Sequence, residues 1–351
     1  MSTATVEVQD VWKVFGARAE EAMSAIKSRG LSKKEAQEEF GCVVGVQGAS
    51  FEVGKGEIFC IMGLSGSGKS TLIRHINLLL RPTSGSVLID GEDVTSIGEK
   101  DLRMMRADKI GMVFQNIALL PHQTVLNNVA LPLDVKGMSR KKRREIAEEA
   151  LAMVDLSGWD FHYAHELSGG MQQRVGLARA LAADPDILLM DEPFSALDPL
   201  IRRQLQDEFL RLAEITGKTT IFITHDLDEA IRIGHRIAIM KDGVLVQIGT
   251  PEEIVSKPAD EYVERFVAGI SRLKLVSART IMVPIKDFGM TRDAPPADAP
   301  RAPADADLDH LIDIAIDYDG PVVVTNPEGQ EVGVVDRQRL LRGIQGSEVA
   351  S

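Results

Sequence analysis

Hydrophobic and polar positions alternate in two segments near the start of the chain, "TVEVQDVWKVF" and "VVGVQGASFEV". Strict alternation is typical of half-buried strands, so both segments are predicted to be β-strands. The residues between them, 16–42, lack this alternation and are predicted to form two short helices. The second helix starts at "SKKE", a capping box in which Ser32 and Glu35 each satisfy a free amide. We therefore expect a helical insert between two strands.

Turn signals with apolar flanks occur at "VGKG", "IDGED" and "MKDGV". Such turns between strand-like runs predict antiparallel hairpins. From Lys100 to Leu156 the pattern is mostly helical. Its basic run, Arg140 to Arg144, is expected to be a solvated helix face; a contact with anionic lipid or a partner protein is the alternative.

The character of the chain changes after Phe266. The stretch "GMTRDAPPADAPRAPADAD" is rich in Pro, Ala and Asp, which predicts a linker or a long loop that buries little apolar surface. Beyond it, "LDHLIDIAI", "PVVVT", "EVGVV" and "DRQRLLRGI" predict a small αββα unit. We thus predict a large domain at 1–270, a linker at 271–307 and a small α+β region at 308–351.

Composition narrows the classes of function. With 351 residues, of which 44% are hydrophobic, the chain has enough apolar material for ordered cores. The formal net charge of −12 argues against nucleic acid as a partner, because non-specific nucleic-acid affinity comes mostly from Lys and Arg. Cys42 and Cys60 show no CxxC or Cys/His spacing, so neither a disulfide framework nor zinc is predicted, and a reducing cytoplasm fits.

Two further observations concern membranes. The N-terminal "MSTATVEVQD" shows no basic-then-apolar targeting signal. No run approaches the ~20 apolar residues that cross a bilayer. Any membrane role is therefore expected to depend on partner proteins.

The first candidate for chemistry is "IFCIMGLSGSGKST", residues 58–71, in which an apolar strand leads into a glycine-rich loop and then a helix. This is the phosphate-binding loop pattern in its required strand-to-helix setting. Its glycines allow backbone amides to curl round phosphates, towards which the helix N-terminus also points. Lys69 is expected to reach the β- and γ-phosphates, and the Ser70 hydroxyl to bind Mg²⁺. The predicted nucleotide contacts are Gly63, Ser65, Gly66, Ser67, Gly68, Lys69, Ser70 and Thr71.

The second candidate is "DILLMDEP", residues 186–193, an apolar strand that ends in two carboxylates. Asp191 and Glu192 are thereby predicted at the carboxyl end of a buried strand, beside the phosphate loop. Asp191 is expected to hold Mg²⁺, directly or through water. Glu192 is the better candidate for the general base, because an adjacent side chain can orient water towards the γ-phosphate.

Two more polar residues follow strand-like runs. Gln115, after "IGMVF", is predicted to sense the γ-phosphate through Mg²⁺ or water. His225, after "TIFIT", is predicted to hydrogen-bond the γ-phosphate. Taken singly, a histidine after a strand is more often a structural or surface residue than a catalytic one, and a lone glutamine gives almost no indication of function.

The stretch "HELSGGMQQR", residues 165–174, has no nucleophile, metal-ligand cluster or acid pair of its own. Together with "GLSGSGKST", "VFQN", "ILLMDEP", "SALD" and "ITHD", it closely resembles the ATP-binding cassette ATPases, the motors of ABC transporters. The resemblance implies an α/β fold: a P-loop NTPase cassette with a RecA-like parallel-sheet core, an antiparallel β subdomain and a helical subdomain. It also implies ATP and Mg²⁺ as cofactors.

The same resemblance implies roles for residues outside the phosphate loop. Phe15 matches the aromatic residue that stacks on adenine. The segment from Ser195 to Asp198 matches the one that crosses a dimer interface, and Asp198 is expected to contact nucleotide. A serine hydroxyl, glycine amides and a helix start make a good γ-phosphate cradle. The residues expected to form this cradle, on the ATP of a partner subunit, are Ser168, Gly169 and Gly170.

The implied partners follow from the transporter resemblance. A homodimer of cassettes is expected, with integral membrane permease subunits facing residues 116–135 and an external substrate-binding protein in the assembled importer. The chain is expected to lie peripherally on the cytoplasmic side of the plasma membrane. The insert at 16–42, "VFQNIALLPHQTV" and "DEPFSALDPLIRRQLQDE" are similar to the osmoprotectant branch. Its members energise uptake of glycine betaine, proline betaine, choline or proline, and the likeness covers roughly 1–270.

In that branch a pair of cystathionine-β-synthase-type (CBS) repeats follows the cassette. Here "GPVVVTNPEGQEVGVVDRQRLLRGIQG" is similar to one repeat, and "KLVSARTIM" is similar to only the start of another. The tandem is therefore expected to be truncated or degenerate. Sensing of nucleotide or ionic strength is left open, with subunit pairing as the alternative role.

Other functions remain as alternatives. Import of an amino acid, phosphate or sugar fits the same cassette, although a sugar-type cassette is expected to carry a β-rich tail. Cassette ATPases of DNA repair or translation usually have two cassettes in one chain or a long coiled-coil insertion, and neither is visible. A regulatory module that senses ATP without hydrolysing it is disfavoured by Glu192 and His225.

Overall fold

The computed structural model describes residues 4–115, 117–291, 295–296 and 298–345. The chain divides into two compact units, 1–248 and 249–351. Within the described ranges, no helix is both long enough and apolar enough to cross a bilayer.

The strands that the structure describes are, in chain order, β1 (Ala4–Phe15), β2 (Val43–Gly54), β3 (Ile58–Met62), β4 (Ser84–Ile89), β5 (Glu92–Asp93), β6 (Ile110–Val113), β7 (Ile187–Asp191), β8 (Thr219–Thr224), β9 (Arg236–Lys241), β10 (Val244–Gly249), β11 (Val283–Pro284), β12 (Arg301–Pro303), β13 (Val322–Thr325) and β14 (Glu331–Val335).

The α-helices are α1 (Ala19–Arg29), α2 (Lys33–Phe40), α3 (Lys69–Ile76), α4 (Glu99–Lys109), α5 (Val125–Val135), α6 (Arg140–Met153), α7 (Gly169–Ala182), α8 (Pro199–Thr216), α9 (Leu227–Ile233), α10 (Pro251–Ser256), α11 (Glu261–Val267), α12 (Ala278–Ile281), α13 (Ile285–Thr291), α14 (Leu308–Asp317) and α15 (Arg337–Gln345). A short 3₁₀ helix, Ala164–Glu166, precedes α7.

A largely parallel sheet forms the centre of the first unit, with strand order β10-β9-β3-β8-β7-β6. Strands β3, β7 and β8 are buried along their whole length, so their sequences are continuous apolar runs rather than alternating patterns. β3 pairs parallel with β8 and β9, and β7 pairs parallel with β6 and β8. This pairing brings the carboxyl ends of the strands to one edge, and the predicted parallel-sheet core is present.

An antiparallel sheet, ordered β2-β1-β4-β5, packs on the parallel sheet through a shared hydrophobic core. In that core the rings of Phe51 and Phe59 stack with their centroids 4.9 Å apart. The predicted insert between β1 and β2 forms α1 and α2. Its capping box is also present: the Ser32 hydroxyl accepts the amide of Glu35 at 3.3 Å, and the Glu35 carboxylate accepts the amide of Ser32 at 2.7 Å.

Helices α5, α6 and α7 pack on one another and form the helical part of the first unit. Side-chain oxygens of Thr124, Ser139 and Ser168 cap their N-termini. The basic run at 140–144 opens α6, where Arg144 bonds Glu148 at 2.7 Å and is exposed. Its geometry is that of a solvated helix face.

The three predicted hairpins have different outcomes. The turn "IDGED" joins antiparallel β4 and β5, and "MKDGV" joins β9 and β10, which are neighbours in one sheet. The hairpin predicted at "VGKG" is wrong, because β2 and β3 belong to different sheets. Both edges of β3 are occupied by β8 and β9, so no edge is left for β2.

The second unit contains a sheet of order β11-β14-β13-β12, with α14, β13, β14 and α15 as predicted from the sequence. The segment predicted as a linker, 271–307, is not a linker throughout. Its strand β12 pairs parallel with β13. An alanine loses no rotamer entropy on burial, so an Ala-rich stretch can still be packed. The residues of the segment 271–307 that are buried in the core of this unit are Val276, Ala278, Ile281, Ala302, Ala304 and Ala306.

The two CBS-like segments form one unit rather than parts of two. Strand β11 directly follows "KLVSARTIM" and pairs antiparallel with β14. The domain boundary expected at residue 270 falls inside this unit, because the division lies between 248 and 249. Residues 292–294, 297 and 346–351 of the predicted linker and tail lie outside the described residues. The CBS assignment itself stays a prediction.

Replacement of Leu311 by Ala tests the packing of the second unit. Leu311 is fully buried on α14, so the cavity left by Leu311→Ala is expected to cost about 2–5 kcal/mol. Amide hydrogen exchange of β13 measures this loss as reduced protection. Ile316→Ala on the same helix is the control, since Ile316 is 74% exposed and is expected to change protection little. Equal losses from both variants would contradict the described packing.

Candidate active site

The glycine-rich loop connects β3 to α3 and has backbone conformations that favour glycine. Gly63 and Gly68 have φ values of +155° and +105°. A Cβ atom on Gly63 would lie 2.1 Å from the backbone oxygen of Met240, and one on Gly68 would lie 2.3 Å from that of Gly45. These distances leave no space for a side chain, so the shape of the loop requires glycine at both positions.

Lys69 is the first residue of α3, and its side chain folds back into the loop. Its ammonium donates to the backbone oxygens of Gly63 at 2.8 Å and Leu64 at 3.1 Å, and lies 3.8 Å from Glu192 Oε1. Burial lowers the pKa of Lys69, an effect that the carboxylates of Glu192 and Asp191 oppose. The ammonium is thus held where phosphate oxygens would lie on a helix N-terminus.

Ser70 and Asp191 meet at the predicted metal position. The Ser70 hydroxyl donates to Asp191 Oδ1 at 2.9 Å, and Asp191 is only 4% exposed at the end of β7. Burial raises the pKa of Asp191, while the Ser70 hydrogen bond lowers it in part. A hydroxyl and a carboxylate are ligands that suit Mg²⁺. Among the described residues no group of three or more His, Cys, Asp or Glu side chains is placed to hold a metal by itself.

Glu192 is the point at which the other predicted catalytic residues meet. Its Oε2 atom lies 2.9 Å from His225 Nδ1 and accepts a hydrogen bond from Gln115 Nε2 at 3.4 Å. The backbone of Glu192 is in the left-handed region, with φ of +46°, and its amide donates to the oxygen of Ile223 at 3.0 Å. The end of β7 is therefore turned so that the carboxylate of Glu192 faces the phosphate loop.

A cavity of about 600 Å³ lies over these residues. Most of the predicted residues line it, and Gly63, Ser67 and Asp191 are not part of its wall. Ser67 is 4% exposed, and its hydroxyl has no hydrogen-bond partner among the residues that the structure describes. Four further residues line the cavity that the sequence motifs did not predict: Val43, Val44, Gly45 and Leu64. Among the described residues the lining is Phe15, Val43, Val44, Gly45, Leu64, Ser65, Gly66, Gly68, Lys69, Ser70, Thr71, Gln115, Glu192 and His225.

Phe15 forms the aromatic wall of this cavity at the end of β1. The ring is 39% exposed, and the Lys13 ammonium lies 5.2 Å from its centroid. A Cβ atom on Gly45 would lie 2.8 Å from Phe15 Cε2, so Gly45 makes room for the ring. An isolated glycine inside an alternating strand is a signal of such close approach, and "VVGVQG" carries it.

The residues predicted to serve a partner's nucleotide line a separate cavity of about 510 Å³. Ser168 caps α7 by accepting the amide of Met171 at 3.3 Å, and Asp198 caps α8 by accepting the amide of Ile201 at 3.1 Å. Gly169 and Gly170 lie in the first turn of α7. None of these residues lines the cavity over Lys69. A role towards a second subunit stays a prediction. The location of these residues in a different cavity from Lys69 is consistent with it.

Replacement of Gly63 tests the role of the loop geometry. In Gly63→Ala the new methyl group would overlap the backbone oxygen of Met240. Left-handed strain costs about 1–3 kcal/mol, and the overlap adds to it. We expect nucleotide binding, measured by titration with a fluorescent ATP analogue, to weaken by at least about tenfold.

The control for Gly63→Ala is Gly91→Ala. Gly91 also has a positive φ, of +80°, but no atom lies within 4 Å of its Cβ position. This variant is expected to retain the affinity of the native chain. A Gly63→Ala protein with native affinity would show that the loop does not depend on this contact.

The comparisons with known proteins agree with this geometry. A family model described as "ABC transporter" matches residues 46–195, and a model of an AAA domain, putative AbiEii toxin, matches the overlapping residues 160–231. A solved dimeric ATP-binding cassette in a post-hydrolysis state, bound to ADP and Pi, is 35% identical, has a TM-score of 0.59, and covers 70% of this chain and 98% of its own.

Two curated relatives show the extent of the likeness. The glycine betaine transport ATP-binding protein OpuAA of Bacillus subtilis is 54% identical over 79% of this chain and 66% of its own length. The trimethylamine N-oxide transport system ATP-binding protein TmoW of Ruegeria pomeroyi is 43% identical over 97% of both chains. These likenesses, together with the geometry of the phosphate loop and its cavity, show that the chain belongs to the ABC transporter family, as an ATP-binding cassette ATPase.

Proposed function

We propose that this chain hydrolyses MgATP to energise uptake of a methylated-amine osmoprotectant through separate membrane subunits. The observation that carries the hydrolytic part is the meeting of Gln115 and His225 on Glu192, at 3.4 and 2.9 Å, beside the Lys69 ammonium. A base that is oriented by a histidine and lies next to a phosphate cradle is an arrangement for in-line attack by water.

Each residue has a distinct part in the proposed reaction. Glu192 accepts the proton of the attacking water, and His225 orients its carboxylate and reaches the γ-phosphate. Lys69 stabilises charge on the phosphate oxygens. Ser70 and Asp191 would hold Mg²⁺, which would neutralise negative charge on the phosphates, and Gln115 would contact that ion or its water.

Phe15 is proposed to stack on adenine, because its partly exposed ring lines the cavity. Stacking on an aromatic face suits any base. Backbone amides of Ser65, Gly66 and Thr71, which line the same cavity, would bind the phosphates.

We further propose that two copies of the chain close head to tail. Ser168, Gly169, Gly170 and Asp198 would then act on the partner's nucleotide, since in their own chain they line a different cavity. Charge-assisted contacts on each γ-phosphate would favour closure, and hydrolysis would remove them. The dimeric state of the solved relative supports this proposal.

Residues 117–135 are proposed to face the permease subunits; Asn116, at the start of the predicted segment, lies outside the described residues. The start of this segment is fixed by α7, because Arg179 donates to the backbone oxygens of Ile117 at 2.6 Å and Ala118 at 2.7 Å. Val135, at its other end, is 73% exposed. A held segment with an exposed apolar end suits docking on the cytoplasmic side of the membrane.

The substrate class rests on the relatives. One is a glycine betaine transport protein and another a trimethylamine N-oxide transport protein, and both substrates carry a methylated nitrogen. We propose this class for the system that the chain energises, with an external binding protein that selects among glycine betaine, choline, proline betaine and trimethylamine N-oxide. Import of an amino acid is the second candidate.

Glu192→Gln tests hydrolysis and uptake together. The amide cannot take a proton from water, so ATP hydrolysis is expected to fall at least about 10²-fold while ATP binding is retained. Cells that carry the variant should lose uptake of at least one labelled substrate among glycine betaine, trimethylamine N-oxide, choline and proline betaine.

Glu214→Gln is the matched control, since Glu214 is an exposed acid on α8. It should leave hydrolysis and uptake at native levels. Loss of hydrolysis in Glu192→Gln with all four uptakes unchanged would reject the substrate class and keep the ATPase. Unchanged hydrolysis would reject the assignment of Glu192.

The raised pKa of Asp191 predicts a pH effect on stability. The folded chain binds this proton more readily than the unfolded chain, so ionised Asp191 destabilises the fold above its folded pKa. This loss disappears as pH falls below the unfolded value of about 3.9. Asp191→Asn keeps an acceptor for Ser70 without the charge. We expect its unfolding midpoint, measured without Mg²⁺, to exceed the native one at pH 7 and the difference to shrink on acidification.

Mg²⁺ supplies the control for this prediction. The cation needs the ionised carboxylate, so MgATP should stabilise the native chain at pH 7 more than it stabilises Asp191→Asn. A variant that is less stable than the native chain at pH 7 without Mg²⁺ would contradict the assigned cost of burial.

A further inference from the structure

Polar side chains of α8 contact residues at the start of α9, and the proposed reaction assigns no role to these contacts. Helix α8 begins directly after the segment 195–198, and α9 begins two residues after His225. Arg202 and Gln206 lie on α8, one turn apart. Asp226 and Glu229 lie at the start of α9 and contact them. These two pairs therefore join the helix that follows the segment 195–198 to the helix that follows the histidine of the site.

Arg202 makes two contacts at once. Its Nη1 atom lies 3.4 Å from Asp226 Oδ2, and its Nη2 atom donates to the backbone oxygen of Leu197 at 3.1 Å. The planar guanidinium suits such paired contacts, because its donors have a fixed geometry. The Arg202 side chain is 29% exposed, so the ion pair is partly shielded from water. Arg202 thus holds the segment 195–198 and Asp226 together.

Asp226 fixes the backbone that carries His225. Its Oδ1 atom caps α9 by accepting the amide of Glu229 at 3.2 Å, and its own amide donates to the Thr224 hydroxyl at 3.0 Å. The second carboxylate oxygen, Oδ2, is the one that Arg202 contacts. A shift of Asp226 would therefore move the residue next to it, whose imidazole lies 2.9 Å from Glu192.

The buried pair on the same helices keeps them in register. Gln206 Nε2 donates to Glu229 Oε1 at 2.9 Å, and both residues are 6% exposed. Burial raises the pKa of the Glu229 carboxyl group, an effect that the side chains of Thr224 and Gln206 oppose. A buried polar pair is costly to break, because each group would lose its partner without gaining water. The two helices are thus expected to move as one body with Thr224.

The segment 195–198 is also tied to the site at its other end. The Ser195 hydroxyl donates to the backbone oxygen of Glu192 at 3.0 Å. One end of the segment is thereby joined to the residue proposed as base, and the Leu197 carbonyl is joined through Arg202 to the residue after His225. A displacement of the segment would therefore shift the positions of both Glu192 and His225.

We propose that Arg202 is a positioning residue that acts through Asp226 to hold His225 on Glu192, and that it transmits displacements of the segment 195–198 to this pair. The inference rests on the proposed ATPase function. It adds a route within one chain by which contact of a second copy with the segment 195–198 adjusts the hydrolytic residues. Arg202 itself does not line the cavity over Lys69.

The test uses the full chain and three variants. Arg202→Gln removes the charge and the paired contacts. Asp226→Ser keeps one oxygen to cap α9, since serine caps as well as aspartate, and removes the oxygen that Arg202 contacts. The third variant combines both changes. Arg203→Gln, at the exposed neighbouring position, is the control and is expected to match the native chain.

Steady-state ATP hydrolysis separates positioning from binding. A displacement of about 1 Å at a catalytic group can cost 10²-fold, so each single variant is expected to lower kcat by about 10- to 100-fold. KM for MgATP is expected to change by less than about twofold, since no nucleotide contact is removed. The double variant should be no slower than the slower single variant, because both changes break one link.

A second readout does not need hydrolysis. In a chain labelled with ¹³C-histidine, the ring signal of His225, assigned with His225→Gln, should shift in both single variants and remain unchanged in Arg203→Gln. Thermal unfolding identifies a variant that fails to fold, and the other single variant then decides the matter through kcat and the His225 signal.

The outcomes separate the two proposals. Native kcat and a native His225 signal in Arg202→Gln and Asp226→Ser would overturn the positioning role, as would losses in kcat that multiply in the double variant. The absence of hydrolysis sensitive to Glu192→Gln in the native background would instead overturn the proposed function. A rise in KM at constant kcat would assign Arg202 to nucleotide binding and likewise reject the positioning role.

Discussion

The parallel pairing of β3, β7 and β8 is the constraint on which the rest of the first unit depends. The three strands are buried along their length, and burial of an unpaired charge is costly, so the charged side chains lie at the ends of the strands. Parallel pairing puts those ends at one edge, and there the chain places Gly63 after β3, Glu192 after β7 and His225 after β8. Ser70 and Asp191, which are 121 positions apart, thereby come within hydrogen-bonding distance, as do Glu192 and His225.

The electrostatics of this edge follow from its burial. Lys69 is 4% exposed and Asp191 is 4% exposed, and burial disfavours the charged form of each. Their charges are tolerated because Lys69 donates to loop carbonyls and Asp191 accepts from Ser70. A phosphate and Mg²⁺ would complete the balance of charge. In the absence of nucleotide, the buried charges of this site therefore lower the stability of the fold. Ligand binding and folding stability are linked in this way.

The second unit shows where composition was a poor guide. Pro, Ala and Asp usually signal a chain without a core, yet Ala302, Ala304 and Ala306 are buried between a strand and its neighbours. Alanine side chains lose no rotamer entropy on burial, so they can join this core. Pattern reasoning correctly predicted α14, β13, β14 and α15, whose periodicities are regular, and failed for short strands such as β11, in which two residues carry no period.

The sequence by itself determined the phosphate loop, the paired carboxylates, the insert and the family resemblance, because each is carried by contiguous residues whose chemistry is legible in order. It also named Gln115 and His225, although alone they carried little signal. Only the tertiary structure decided that both converge on Glu192, that Gly45 makes room for Phe15, and that Arg202 joins Leu197 to Asp226. These are contacts between distant segments, and their existence depends on how strands and helices pack rather than on any local pattern.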